Sequence, residues 1–324
     1  MPITISGGAV ITGGAQITEG GSPSPSPSPS PSYSFQGSNF GYNSGGYTGS
    51  DVTNVIQKYS YTSDANATDV GDLSVARSQM AGQTSSTSGY SSGGEAPPNP
   101  ITNVIDKFPF ASDGNATDVG DLTANIWGNV GQSSSANGYS CGDRTTTSNV
   151  IEKFSFSSDG NSSDVGDLTV GRYSPSGQSS SDNGYSSGGG TGPGNLDVID
   201  KFPFATDGNA TDVGDLTGPS WFGGGQSSTS NGYRSGGLAA GNAFSNIIDK
   251  FPFSSDSNAT DVGDMTATTV AQSATSSTAS GYSAGGVTPT RVNVIEKFSF
   301  SSDGNATDVG DLLSALSACA GQQN

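Results

Sequence analysis

The sequence predicts an all-β protein built as a ring of six similar sheets. Three observations carry this: one phrase recurs six times at spacings of 46–49 residues, each copy alternates apolar and polar residues, and no segment sustains a helical period. The copies run from Asn54 to Leu73, Asn103 to Leu122, Asn149 to Leu168, Asp197 to Leu216, Asn246 to Met265 and Asn293 to Leu312. Without the repeat, the composition would argue for disorder. Leu, Ile, Val and Phe together make 55 of 324 residues, Gly alone makes 49, and the formal charge is −18. The scarce apolar residues recur at fixed places, and that regularity answers the compositional prior.

Each unit reads as β throughout. Val104–Phe110 alternates Ile105, Lys107 and Pro109 with Val104, Asp106, Phe108 and Phe110, the period of a strand. Ser112-Asp113-Gly114-Asn115 supplies turn chemistry. Where Ala65 or Ser257 replaces the glycine, Asn66 and Asn258 are expected to carry the positive φ. Thr117–Leu122 is the returning strand, and Gly131–Ser135 and Gly138-Tyr139-Ser140 give two more. Four short strands per repeat is the arithmetic of a β-propeller blade. A unit holds only about seven large apolar side chains, worth about 1.5–3 kcal/mol apiece when buried. Ordering the backbone costs about 1–2 kcal/mol per residue, so a lone unit does not fold and neighbours must stack. The first unit begins late, at Ser34–Gly46, and the chain ends in the strand that unit lacks, so the two termini are expected to share a blade and close the ring.

The phrase order, Gly-Tyr then a Gly pair such as Gly188-Gly189, then Val198–Phe202, then Asp164–Leu168 followed by Thr169–Arg172 or its counterpart Ser74–Arg77, resembles the kelch repeat over about nine tenths of the chain. Propellers of the chromosome-condensation-regulator type share the Gly-Gln and Gly-Tyr phrases and are the alternative within the class. Kelch blades carry a tryptophan where this chain has Ala67, Ala116, Ser162, Ala210, Ala259 and Ala306. The second aromatic of each copy (Tyr61, Phe110, Phe156, Phe204, Phe253, Phe300) is expected to fill that space. The phrase VIDKFPFATDGNATDVGDLT also resembles repeat proteins of marine bacteriophages, especially cyanophages.

Residues 1–32 differ in kind. Ile5, Ile11 and Ile17, spaced by six with glycines between, mark a β-prone anchoring arm over 1–21. Five Ser-Pro dipeptides make 22–32 an extended spacer of roughly 30 Å, and 33–324 is the propeller. Met1-Pro2-Ile3-Thr4 has neither the basic nor the apolar part of a secretion leader.

Several chemistries are excluded. With no histidine there is no Ser-His-Asp relay and no imidazole metal site. Eleven basic residues against 29 acidic ones give no phosphate-binding face, so nucleic acid is not an expected partner. No apolar run is long enough to span a membrane. Cys141 and Cys319 are expected to be free thiols. The Asp-rich turns read as hairpin chemistry rather than calcium loops, the repeated lysines as local ion-pair partners, and the repeated tyrosines as packing between blades. No cofactor and no metal is expected. The loops that vary between copies are where recognition is expected. They carry Trp127, Trp221, Phe222 and Phe244, aromatics expected to be exposed. With the phage resemblance, this implies a virion structural protein, a decoration or fibre component without enzymatic activity. It would be held to other virion proteins through 1–21 and displayed on the capsid or tail, adhering to host-surface polysaccharide. A secreted bacterial adhesin, a carbohydrate-binding propeller and a propeller enzyme are the alternatives.

Overall fold

The computed structural model describes residues 3–5, 9–11, 35–96 and 100–324. The chain divides into two compact units, 1–32 and 33–324. In the first, Ile3–Ile5 pairs antiparallel with Ala9–Ile11, setting Ile5 opposite Ala9 and Ile11 opposite Ile3. Ile17 and the Ser-Pro spacer lie outside the described residues.

The second unit is a six-bladed β-propeller, each blade a four-stranded antiparallel sheet. From the axis outward, one blade comprises Ala81–Thr84, Ser88–Ser92, Val104–Pro109 and Thr117–Asp121. The closing blade takes Phe40–Ser44, Val55–Ser60 and Thr68–Asp72 from the start of the ring and its innermost strand, Ala320–Gln323, from the C-terminus. Gln322 there pairs with Tyr42. The shared blade is the closure that the register of the repeats predicts.

Small residues are dictated at the axis, where the innermost strands meet in a circle. A Cβ at Gly131 would sit 2.1 Å from the carbonyl oxygen of Gly82, and one at Gly177 would sit 2.5 Å from that of Gly131. The serines serve a second purpose. The Thr84 N–H donates to Ser133 Oγ, Ser133 N–H to Ser179 Oγ, Ser179 N–H to Ser227 Oγ and Ser227 N–H to Ser276 Oγ. Ser276 N–H then donates to the side-chain oxygen of Gln323, and Gln323 N–H to Thr84 Oγ1, closing a ring of six bonds. The residue before each of these serines also reaches outward: Gln132 Nε2 donates to the Tyr185 carbonyl of the next blade, and Gln178 Nε2 to that of Tyr233. At the one joint where Thr275 replaces this glutamine, Tyr59 replaces the usual phenylalanine and its hydroxyl bonds Thr275 Oγ1 at 2.7 Å.

Aromatic rings join the blades farther out. Each repeat tyrosine stacks on the second aromatic of the next blade, Tyr139 on Phe204 and Tyr282 on Tyr61 for example, at centroid separations of 4.6–4.9 Å around the ring. The second aromatics thus fill the space beside buried Ala116, Ala210, Ala259 and Ala306. Stacking shuts the tyrosines away from water, and burial pushes the phenol of Tyr139 up to about 12. Cys141 and Cys319 are buried free thiols, and burial raises them to about 11 and about 12.

The turns between the third and fourth strands correct two expectations. Asn66 and Asn258 do not adopt positive φ. Instead, Asn Oδ1 accepts the N–H of an aspartate in the preceding blade: Asn115 from Asp72, Asn161 from Asp121, and so on through Asn66 from Asp311. The lysines pair not within their own blade but across the joint. Lys107 meets Asp159, Lys153 meets Asp207, and Lys297 meets Asp64 of the first blade. What reads as turn chemistry in one repeat is a staple between two.

Candidate binding face

Antiparallel order sorts the loops by face. The turns joining first to second and third to fourth strands lie on one face, which is nearly constant from blade to blade. The loops joining second to third strands, and those leading into the next blade, lie on the other, which varies. The chain begins its ring on the constant face, close to the axis. Phe35 lines the axial cavity, its carbonyl accepts from Gln323 Nε2, and Gly37 N–H donates to Ser276 O.

On the variable face the axial mouth is framed by backbone. Gly128, Ser174, Phe222, Ala271, Ala318 and Gln79 each donate an N–H to the carbonyl of the counterpart in the preceding blade, closing a second ring of six bonds at 2.6–2.9 Å. All six residues hold φ between +49° and +66°, so the chain takes the same left-handed turn at each blade. Below them lies an axial cavity of about 130 Å³ lined mainly by Gly, Ala and Ser. Nothing in that lining offers a cluster of titratable groups, and two of its serines are spent on backbone, Ser176 Oγ donating to the Gly223 carbonyl and Ser273 Oγ to that of Ala284.

The large side chains gather beside the mouth rather than in it. Trp127 stands in the loop leading into the blade of Val130–Asp167, Tyr173 in the next such loop, and Trp221 and Phe222 in the one after. Arg144, in the loop after Asn137–Cys141, reaches over all of them. Its guanidinium carbon lies 4.9 Å from the ring centroid of Trp127, 5.4 Å from Tyr173, 5.7 Å from Trp221 and 5.9 Å from Phe222. Backbone bonding fixes its origin: Arg144 N–H donates to the Trp127 carbonyl at 2.9 Å. Asp143, its neighbour in sequence, is turned inward, where its carboxylate accepts from the N–H groups of Thr145 and Thr146. Tyr173 and Trp221 meet edge to face at 5.3 Å, and Trp221 and Phe222 lie 4.6 Å apart.

Three of the four aromatics expected on this surface therefore form one cluster. The expectation that all would be exposed is corrected: Trp127, Trp221 and Phe222 are half-buried, because each covers its neighbours and the arginine covers them all. Phe244 alone is exposed, at 36%, in a loop bridged through Leu238 to Trp221. Arg144 and Tyr173 are the members that sequence reading misses. Tyr173 follows an arginine in a stretch shared with other repeats, and the aromatic nearest Arg144 in sequence is Tyr139, a repeat tyrosine that packs between blades.

Arg291 apart, the other basic side chains are paired with carboxylates. Six lysines pair across blade joints, and Arg77, Arg172 and Arg234 face Asp106, Asp200 and Asp249 inside the blades. Among the described residues, no group of three or more Cys, Asp or Glu side chains is placed to hold a metal ion. No protein-family model and no curated protein matches this chain.

Proposed function

We propose that this protein is a non-enzymatic display module, a virion component that carries its propeller on the Ser-Pro spacer and uses the variable face to adhere to polymers of a host surface. One observation carries the reading. Among the described residues, the loops that depart from the repeat and bear large aromatics share one face, while the first described residues of the ring, Phe35 and Gly37, lie at the other. Display in many copies would compensate for a modest single site through avidity. The repeated acids support a binding role over a catalytic one, since the turn aspartates are engaged with lysines at every joint.

Two measurements test this. The chain should be found in purified particles, and removing residues 1–21 should release the ring from them. Separately, purified propeller should adsorb to host cells, and Trp127→Ala with Trp221→Ala should lower that adsorption by about tenfold. Unchanged adsorption by the double variant would remove this face from the function.

A further inference from the structure

Among the described residues, nine of the eleven basic side chains form ion pairs with a carboxylate and two do not. In a chain with 29 acids, an arginine without a carboxylate needs a reason. The two are Arg144 and Arg291, both on the variable face and both held against aromatic rings. Arg144 lies over the four-ring cluster and Arg291 lies 4.4 Å from the centroid of Tyr47. Their blades are three apart, on opposite sides of the ring. Arg291 Nε donates to Ser317 Oγ, whereas the Arg144 side chain has no hydrogen-bond acceptor among the described residues.

We infer that Arg144 with Trp127, Tyr173 and Trp221 is a site for an acidic saccharide. This rests on the adhesive reading above and names the class of polymer recognised. A guanidinium is a planar fork of five donors suited to two acceptor oxygens at once. Here it is presented on an aromatic platform, and the part of Trp127 and Trp221 that stays exposed beside it offers apolar surface to a pyranose ring. A neutral sugar can offer the fork hydroxyl oxygens but no opposite charge, and a cationic ligand would meet Arg144 first. The chain's charge of −18 opposes any polyanion at long range. At physiological ionic strength that repulsion is screened beyond about 8 Å, and the local contact decides. Arg291 on Tyr47 supplies a second anchoring point for a polymer long enough to cross the face.

The two tryptophans of the chain are both in this cluster, so intrinsic fluorescence reports on it in the unmodified full-length protein. Four probes of matched length are titrated: an oligouronate, a sulfated oligosaccharide, a neutral oligosaccharide and oligoglutamate. The expected result is a saturable change with one or both acidic sugars, identifying carboxylate or sulfate as the group read, and little with the other two probes. Arg144→Gln should weaken that binding on the order of tenfold or more, the loss of a charge-assisted pair. Arg144→Lys should recover part of it, and both should melt with the parent. Equal response to the neutral sugar or to oligoglutamate, or unaltered affinity in Arg144→Gln, would overturn the inference. If cell adsorption is lost in the tryptophan variants but kept in Arg144→Gln, the adhesive face stands and only the acidic-sugar assignment falls.

Discussion

The third strand of each blade buries one polar side chain at the same place: Gln57, Asp106, Glu152, Asp200, Asp249 and Glu296. The partners differ. Three aspartates meet arginines, and Glu152 accepts from Thr123 and Ser162. Among the described residues, Glu296 has only Thr266, through its N–H and hydroxyl. Burial pushes the Glu296 carboxyl up to about 7, with the nearby Asp308 adding to the rise and the Thr266 N–H opposing it. The folded chain therefore holds a proton that the unfolded chain, titrating near 4.5, has already released. The stability this group contributes is complete below its unfolded value and is lost as pH rises through its folded one. Glu296→Gln copies the solution of the closing blade, where Gln57 Oε1 accepts the Leu313 N–H at 2.7 Å. It is expected to raise stability at about pH 8 by about 1–2 kcal/mol and to flatten the decline above about pH 5. Denaturant titrations of both proteins across that range check this, and parallel pH profiles would contradict it.

At the scale of the blade, two kinds of ion pair serve different ends. The six lysine–aspartate pairs lie at the rim with their aspartates largely exposed, so solvent screens them. Lys107→Ala is expected to cost less than about 1 kcal/mol. Arg172 and Asp200 are closed off from water, 2.7 Å apart, and Arg172 also donates to the carbonyls of Val170, Gly188 and Val198. It ties the loop entering a blade to the end of that blade's second strand. Arg172→Ala strands a buried carboxylate and should cost about 3–5 kcal/mol. Thermal melts of the two variants separate the cases, and equal losses would mean the rim pairs do more than their exposure allows.

Across the whole molecule, stability is a property of closure. The aromatic stack, the lysine pairs, the asparagine staples and the axial serine bonds each pass once around the ring, and each is completed only where the last blade meets the first. Removing residues 320–324 takes away the innermost strand of the closing blade and bares the edge of Phe40–Ser44. The expected outcome is loss of the single cooperative melt together with self-association through the open edge. Circular dichroism with size-exclusion chromatography measures both; a melt and elution unchanged by the deletion would show that the ring does not depend on its closure.

The sequence alone determined the number of blades, their strands and the terminal closure, because these follow from period, alternation and register, all properties of residues near one another in the chain. It also identified Trp127, Trp221 and Phe222 by their departure from the repeat. What only the tertiary structure decided is which residues of different blades meet. Lys107 finds Asp159, Asn115 finds Asp72, and Arg144 finds aromatics from three successive loops. Lys107 and Asp159, Asn115 and Asp72, and Arg144 and Trp221 are dozens of positions apart and become neighbours only when similar sheets are turned about a common axis. A perfect repeat hides which copy of a residue is the partner, since every copy looks the same along the chain.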